Sequence, residues 1–224
     1  MKIRWHGQSA YTLTGAEHTV AIDPFGDMAP LVGSRLRFAY PPVPEHDAHL
    51  LLVTHEHRDH NGVEAITGDP HVVRSTAGRF ETPVGEVVAI ASEHDAEAGT
   101  SRGPNTIFVF TLDGVRVCHF GDFGQTALRP EQRDAIGPVD LVFLPVGGGP
   151  TIGADQAAEI TRTLAPHWVV PMHYRTPAID FLETADAFLA LHDTVAETGP
   201  EHRLEQDGER ATGVLHMAPP GTRD

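Results

Sequence analysis

The residues best suited to chemistry lie in one short stretch, residues 51–62, which reads LLVTHEHRDHNG. An apolar run typical of a buried strand ends there in a set of metal-binding side chains: His55, His57, Asp59 and His60. Imidazole nitrogens and carboxylate oxygens are ligands that divalent transition metals prefer. Residues two apart in an extended chain project to the same side, so His55 and His57 can share one ion. Asp59 and His60 follow closely enough to bind a second ion beside the first.

A solvated polar loop is the alternative explanation of this stretch. Each of its histidines, taken alone, is typical of such a loop. Four ligand-type side chains within six positions directly after a buried strand are not. Burying them without a cation would cost on the order of several kcal/mol. The spacing therefore predicts a pair of metal ions rather than a polar surface.

Three further candidate ligands also follow predicted strands. His94 comes after the strand predicted at 84–92, Asp122 after the strand VRVCHF, and His173 after the strand HWVVPM. A carboxylate such as that of Asp122 can lie between two cations and bind both.

The segment HEHRDH at 55–60 resembles the HxHxDH signature of the metallo-β-lactamase superfamily. The resemblance extends over nearly the whole chain. It is closest to the small, single-domain branch of metal-dependent hydrolases. That branch includes ascorbate-6-phosphate lactonase-like and phospholipase-D-like proteins. The other segments that carry the resemblance are IDPF at 22–25, SEHD at 92–95, the GPNT turn, HFGD, LPVGG at 144–148 and VVPMHY at 169–174.

The resemblance implies an αββα sandwich, an α/β fold of two mixed β-sheets flanked by helices, formed by one domain over residues 1–224. Its ligand loops open at one rim of the sandwich. The family pattern assigns the first ion to His55, His57 and His94. It assigns the second ion to Asp59, His60 and His173, with Asp122 bridging the two.

Other positions are assigned supporting roles by the same resemblance. Asp23 is expected to orient the histidine loop through hydrogen bonds without binding metal itself. Asn105 is a candidate for a similar supporting role, and Asn105 and Tyr174 are candidates for polar contacts to substrate. His6 and Gln8 stand where the branch more often has an aliphatic residue and a histidine. For His6 we expect a partly buried, hydrogen-bonded side chain, with proton transfer as the alternative.

The chemistry that this site implies is hydrolysis. A water shared by two divalent cations loses its proton near neutral pH, which gives a bridging hydroxide as nucleophile. An open metal position can polarise the substrate oxygen. Asp59 can accept a hydrogen bond from the hydroxide, and Asp59 and His173 are the candidate catalytic residues.

We therefore expect a dinuclear metal-dependent hydrolase acting on an ester, lactone or phosphoester of a small soluble substrate. The ligand types favour Zn²⁺, with Mn²⁺, Ni²⁺ or iron as alternatives. Three other functions stay open on the same scaffold: a phosphodiesterase or nuclease, an iron redox protein, and a non-catalytic metal-binding module. A nuclease is disfavoured because only scattered arginines approach the site in sequence.

The composition limits the choice of partners. The 224 residues carry a net charge of −15, and Lys2 is the only lysine. Such an acidic chain disfavours nucleic acid as a partner. The single cysteine, Cys118, excludes an intramolecular disulfide and is expected to be a small buried apolar residue. With no apolar leader and no run of 18 apolar residues, we expect a cytoplasmic protein that does not bind membranes. A homo-oligomer stays open.

Three structural expectations accompany the site. The proline- and glycine-rich segment 26–49 is expected to form one wall of the pocket or, equally, to pack over the sheet edge. The three glycines at 147–149 suggest that the backbone comes close to substrate or to the metal loop. The pattern over 178–192 predicts a last helix whose apolar stripe packs in the core. That stripe comprises Phe181, Leu182, Ala185, Phe188 and Leu189.

Overall fold

The computed structural model describes residues 1–28, 37–204 and 212–221. The strands in these residues are β1 (Lys2–Gly7), β2 (Ala10–Thr14), β3 (Thr19–Ile22), β4 (His46–Asp47), β5 (Leu50–Val53), β6 (Ile66–Thr67), β7 (His71–Arg74), β8 (Gly78–Thr82), β9 (Gly85–Glu93), β10 (Pro104–Leu112), β11 (Val115–His119), β12 (Leu141–Pro145), β13 (Trp168–Met172), β14 (Val195–Thr198), β15 (Glu201–Arg203) and β16 (Gly213–Met217). The helices are α1 (Pro130–Ile136), α2 (Ala154–Leu164) and α3 (Asp186–Leu189), and a single 3₁₀ turn spans Val63–Ala65.

Two mixed sheets form the centre of the fold. The first sheet has six strands in the order β15-β1-β2-β3-β5-β7, and the second has eight in the order β14-β16-β13-β12-β11-β10-β9-β8. A short parallel pair, β4 and β6, lies apart from both. The hairpin between β10 and β11 turns at Asp113, in the Asp-Gly sequence typical of such turns.

The main hydrophobic core lies between these sheets. In the first sheet alternate residues face it, such as Ile3 and Trp5 of β1, whose neighbour Arg4 is exposed. All five residues of β12, in the middle of the second sheet, are buried, as expected for a strand covered on both faces. The ring centroids of Tyr11 from the first sheet and Phe143 from the second lie 4.4 Å apart. The two sheets are thus packed face to face.

Helices cover the outer face of the second sheet. Ala157 and Ile160 of α2 are buried in the main core, and Gln132 of α1 donates to the backbone oxygen of Ala91 in β9. On the outer face of the first sheet, Leu51 packs with Ile66 and the 3₁₀ turn in a smaller cluster. The expected αββα sandwich is confirmed, with a short outer layer over the first sheet in the described residues.

Strand direction explains why the candidate ligands can meet. In the first sheet β5 runs parallel to β3 and β7. In the second sheet β11, β12 and β13 are parallel, and β9 points the same way because it is antiparallel to β10, which is antiparallel to β11. The ends of β9, β11 and β13 therefore lie at one edge of the second sheet.

The last helix is much shorter than its pattern predicts. Only α3 is helical, and Phe181 is 39% exposed rather than in the core. The backbone before α3 is used elsewhere: Glu183 donates to the oxygen of Gly147 and accepts from Arg175. Ile179 forms an isolated bridge with Phe38. Tertiary hydrogen bonds have replaced the intrahelical ones that the periodicity suggested.

The segment 26–49 is described only in part, since residues 29–36 lie outside the described residues. Beyond them, the backbone nitrogen of Ala39 donates to the backbone oxygen of Ala178. The hydroxyls of Tyr40 and Thr176 share a 2.7 Å hydrogen bond. Both partners follow His173 closely in sequence. The described end of the segment thus packs against the chain just after a candidate ligand.

None of the helices in the described ranges is long and apolar enough to cross a membrane. Cys118 is buried in β11 with a free thiol, and burial raises its pKa far above the ordinary value. It is the small buried residue that the sequence predicts.

Candidate metal centre

The loop after β5 is held in place by one buried carboxylate. Asp23 is fully buried, and its Oδ1 accepts a 2.8 Å hydrogen bond from the backbone nitrogen of Thr54. Its Oδ2 accepts from the Thr54 hydroxyl at 2.8 Å and lies 3.0 Å from Nδ1 of His60. Asp23 has φ +46°, a strained conformation for a residue other than glycine. These contacts match the supporting role predicted for Asp23.

A first group of three side chains comprises His55, His57 and His94. Their candidate ligand atoms all lie within 4.8 Å of one another. Nε2 of His55 is 3.0 Å from Nδ1 of His57. His55 and His94 are buried, whereas His57 lies at the surface. The group combines two strand ends, from β5 in the first sheet and β9 in the second.

A second group comprises Asp59, His60, Asp122 and His173, again with ligand atoms within 4.8 Å of one another. His60, Asp122 and His173 are buried, and Asp59 is the most exposed member. Nε2 of His60 lies 3.6 Å from Oδ2 of Asp59. The structure thus brings together all seven ligands that the sequence predicts, in the two sets that the family pattern assigns.

Asp122 is the junction of the two groups. Its Oδ2 lies 3.2 Å from each of three Nε2 atoms, those of His60, His94 and His173. Nε2 of His55 lies 3.9 Å from the same oxygen. His94 and His55 belong to the first group, so one carboxylate oxygen faces ligands of both.

The ring nitrogens that face away from Asp122 indicate which nitrogen of each histidine is available to a metal ion. Nδ1 of His94 lies 3.1 Å from the carbonyl oxygen of Pro150, which can only accept, so this nitrogen carries the proton. Nδ1 of His60 faces the Asp23 carboxylate and carries a proton for the same reason. In a neutral ring the inner Nε2 is then a lone pair. Such a lone pair aimed at a carboxylate oxygen is repelled unless a positive charge, either a proton or a metal cation, lies between them.

A buried atom without a partner supports the same conclusion. Within the part of the chain that the structure describes, Nε2 of the fully buried His60 makes no well-aligned hydrogen bond, although Oδ2 of Asp122 lies 3.2 Å away. An orphaned buried nitrogen is rare in a native protein and calls for an explanation. The donor set of imidazoles and carboxylates suits divalent transition metals, and the residues present therefore fit two such ions.

The electrostatics of the centre favour positive charge. Burial raises the pKa of Asp122, but His173 and His60 outweigh it and hold the pKa well below its ordinary value. Burial lowers the pKa of His60, yet the carboxylates of Asp122, Asp59 and Asp23 raise it well above the usual range. For His55, burial and the charge of His60 lower the pKa. Carboxylates thus attract a cation, while His55 stays neutral and able to bind one.

Two glycines allow the close backbone packing that positions the candidate ligands of the second sheet. Gly121, with φ +56°, precedes Asp122, and an added Cβ would lie 2.5 Å from Oδ1 of Asn105. A Cβ on Gly147 would lie 2.2 Å from the backbone oxygen of His173. Only glycine fits at either point. A close approach at 147–149 is therefore observed, and its partner is the backbone of His173 and Tyr174 after β13 rather than the loop 51–62.

Two residues predicted to contact substrate do not have the geometry for it. The Asn105 amide donates to the hydroxyl of Ser92 and to the oxygen of Phe120, and its Oδ1 accepts from the nitrogen of Asp122. Tyr174 is 4% exposed, and its hydroxyl donates to the oxygen of Met217. Asn105 supports Asp122, and Tyr174 is a core residue. The pattern showed their side-chain types but not the directions in which they point.

His6 lies outside the centre. It is 6% exposed and its Nε2 is 2.8 Å from the hydroxyl of Thr12, so it is the buried, hydrogen-bonded histidine expected from sequence. His119 is fully buried, with Nε2 3.0 Å from the oxygen of Ser9. It is a core residue that orders the chain beside Asp122.

Sequence reasoning missed several residues that support the ligands. Ser9 donates to Oδ1 of Asp122 at 3.2 Å, and Thr54 lies between Asp23 and Nδ1 of His55. Thr151 lies 3.4 Å from Nδ1 of His173. Ser9 and Thr54 adjoin recognisable segments, which is a weak signal. No sequence signal indicated Thr151, because its contact with His173 depends on how the glycine turn folds back.

Comparison with known proteins identifies the family. The Beta-lactamase superfamily domain matches residues 2–173. A UPF0173 metal-dependent hydrolase of Thermococcus onnurineus is 31% identical over 79% of this chain and 85% of its own length. Another, from Methanoculleus marisnigri, is 30% identical over 94% of this chain and 99% of its own.

A solved structure shows the same likeness in three dimensions. It is that of a candidate zinc-dependent hydrolase of the metallo-beta-lactamase superfamily from Thermotoga maritima, 30% identical to this chain. The match has a TM-score of 0.76 and covers 97% of this chain and 99% of the other. With the sandwich, the two ligand groups and these relatives in agreement, the chain belongs to the metallo-β-lactamase superfamily, among its metal-dependent hydrolases.

Proposed function

We propose that this protein is a dinuclear hydrolase that cleaves an ester, lactone or phosphoester bond of a small soluble substrate. The observation that carries the proposal is the surrounding of one Asp122 oxygen by the Nε2 atoms of His60, His94 and His173 at 3.2 Å each. The oxygen belongs to the second ligand group and reaches the first through His94. Two ions joined by a shared carboxylate are a common arrangement for hydrolysis.

The residues that would hold the ions follow from the two groups. His55, His57 and His94 would hold one, Asp59, His60 and His173 the other, and Asp122 both. Divalent ions at this place supply Lewis-acid polarisation of the substrate and make water a nucleophile near neutral pH. Zinc suits the three-imidazole group best, although the ligand types also suit manganese, nickel or iron.

The chain itself contributes position and proton handling. Asp59 is the most exposed member of the second group, with 24% side-chain exposure, so it is the carboxylate that an incoming water reaches. By accepting a hydrogen bond, its carboxylate would orient the attacking water. Asp23 keeps His60 and the backbone of Thr54 fixed, which holds the whole loop during turnover.

The remaining features concern the substrate. The net charge of −15 opposes a polyanion such as nucleic acid, whereas the positive charge of two ions would attract a small anionic or polar group locally. A small molecule is therefore the proposed partner, and no nucleic acid or membrane is involved.

The test is the Asp59→Ala variant, assayed on a panel of esters, lactones and phosphodiesters with protein loaded separately with zinc and manganese. Loss of an orienting carboxylate should lower kcat/KM on the best substrate by about 10²–10⁴-fold. The control is Glu56→Gln in the same loop, because the Glu56 carboxylate is exposed and pairs with Arg74 instead. It should keep wild-type activity.

Three results would contradict the proposal. These are wild-type protein that holds two ions and hydrolyses nothing in the panel, an Asp59→Ala variant that retains full activity, and protein purified without added metal that contains two irons with visible absorbance. The last result would favour redox chemistry on this scaffold.

A further inference from the structure

Gln8 is a buried polar residue beside the second ligand group that the mechanism above does not use. It follows the first strand and is 1% exposed. Its Nε2 donates to Oδ2 of Asp59 at 3.4 Å. This is the one hydrogen bond that the Asp59 carboxylate receives within residues 1–28, 37–204 and 212–221. Asp59 is otherwise the least enclosed ligand of its group.

The backbone of Gln8 touches a second member of the same group. Its oxygen accepts from the backbone nitrogen of His173 at 3.4 Å, and from Nε1 of Trp5 at 3.0 Å. Gln8 thus lies between Asp59 and His173, which come from loops of different sheets. A shift of this residue would move both ligands relative to each other.

Two energetically unfavourable features of Gln8 indicate that packing alone does not explain why glutamine occupies this position. Its φ is +51°, a conformation that glycine or asparagine adopts more readily. Its Oε1 is buried, and no residue in the described part of the chain hydrogen-bonds to it. Unpaired buried acceptors and strained backbones are retained mainly where function requires them. The amide cannot rotate to relieve this, since Oε1 would then face the Asp59 carboxylate.

We propose that Gln8 is the positioning residue for Asp59, and that it sets the affinity of the second ligand group for its metal ion. The inference rests on the dinuclear function proposed above. Residues that orient a metal ligand commonly contribute about 10- to 100-fold to metal affinity. A purely structural glutamine would contribute to stability but not selectively to one of two ions.

The experiment titrates metal-free wild-type protein and three variants with Co²⁺, whose absorption reports each binding step. Gln8→Met removes both amide atoms at nearly constant volume. Gln8→Asn keeps the amide and suits the positive φ but is too short to reach Asp59. Gln132→Met is the matched control, because Gln132 is a buried glutamine whose amide bonds to Ala91 and Gln125, away from the ligands.

Both Gln8 variants should weaken one of the two binding steps, that of the second ligand group, by about 10- to 100-fold and leave the other unchanged. Gln132→Met should change neither step. The melting temperature of metal-free Gln8→Asn should equal or exceed that of the wild type, because asparagine relieves the backbone strain. The inference is overturned if Gln8→Met and Gln8→Asn bind the second ion as the wild type does, or if both steps weaken equally.

Failure of this inference can be told apart from failure of the proposed function. Wild-type protein that binds two ions but hydrolyses no substrate contradicts the hydrolase proposal, while the titration still decides the role of Gln8. Wild-type protein that binds a single ion contradicts both.

Discussion

Two clusters of histidines in the described residues differ in what surrounds their ring nitrogens: one lies at the rim of the sandwich and the other on the outer face of the first sheet, and only the cluster at the rim is arranged to bind metal. At the rim, seven ligand-type residues lie together in two groups, with Asp122 at their junction. On the outer face, the rings of His6 and His46 stack with centroids 5.9 Å apart. The hydroxyl of Thr12 lies between them, 2.8 Å from Nε2 of His6 and 3.0 Å from Nε2 of His46.

The outer cluster satisfies its own hydrogen bonds. Nδ1 of His46 donates to the oxygen of Pro44 at 2.8 Å, which leaves Nε2 as an acceptor. The Thr12 hydroxyl donates to that nitrogen and accepts from Nε2 of His6. Burial, together with the charges of Arg4 and His46, lowers the pKa of His6 to about 3, so its ring is neutral. Every nitrogen that faces Thr12 has a complementary partner.

The rim cluster has the opposite arrangement. The outer nitrogens of His60 and His94 donate to protein oxygens, while their inner nitrogens face the carboxylate of Asp122. The contrast shows that histidine content and burial do not make a metal site. Inner ring nitrogens that converge with carboxylates at one point do, because a metal cation placed there can bind them all.

The largest effect should follow from Asp122→Asn, which removes the charge at the centre of the rim cluster. The variant should retain at most one divalent ion per chain, since both groups lose their shared ligand. Hydrolysis should fall by about 10³-fold or more, equivalent to several kcal/mol of transition-state stabilisation. Metal analysis and kcat/KM on the best panel substrate measure the two effects. Retention of two ions at wild-type affinity would show that Asp122 does not join the groups.

A smaller effect is expected in the outer cluster from Thr12→Val. The change leaves Nε2 of His6 without an acceptor, which should lower the free energy of unfolding by about 1–3 kcal/mol in urea denaturation. Metal content should stay at the wild-type value. Thr14→Val on the exposed side of the same strand is the control and should change neither quantity. Loss of metal in Thr12→Val would mean that the two clusters are not independent.

The smallest effect concerns Asp95, a carboxylate that receives backbone donors instead of imidazoles. It accepts from the nitrogens of Glu97, Gly99, Ser101 and Arg102. Burial raises its pKa, but these four hydrogen bonds outweigh it and lower the pKa below the ordinary 3.8. The charged form therefore stabilises the loop 95–103 above that pH, and the stabilisation is lost as pH falls through the lowered pKa.

Amide hydrogen exchange at those four nitrogens checks this. Protection should be constant from neutral pH to about 4 and fall only below the ordinary carboxylate range, after correction for intrinsic exchange rates. Asp95→Asn, which keeps a single acceptor, should lose part of the protection at neutral pH. A fall in protection that begins near pH 6 would mean that protonation of the neighbouring histidine, rather than of Asp95, destabilises the loop.

The sequence predicted which candidate ligands lie together because each of them follows a strand. Short apolar runs such as β5 and β13 are recognisable, and parallel strands bring their ends to a common edge. The proximity of His94 and His173 to Asp122 then follows from topology.

Other features depended on contacts that no local pattern contains. Of the helix predicted over 178–192 only α3 forms, because the backbone of the first half pairs with Phe38 and Gly147 instead. Strands β14 and β15 escaped notice because VAET and EHR are short, polar edge segments. Asn105 and Tyr174 were placed near the centre correctly, but their side chains are occupied by protein partners. Side-chain direction is decided by packing, which periodicity does not specify.

The measurement that tests the central claim most directly is the metal content of wild-type protein, loaded with Zn²⁺, freed of excess metal and examined by X-ray absorption. The convergence of the rim lone pairs predicts two zinc ions per chain, bound by nitrogen and oxygen at about 2.0–2.2 Å. One ion per chain, or two whose binding survives Asp122→Asn unchanged, would contradict it.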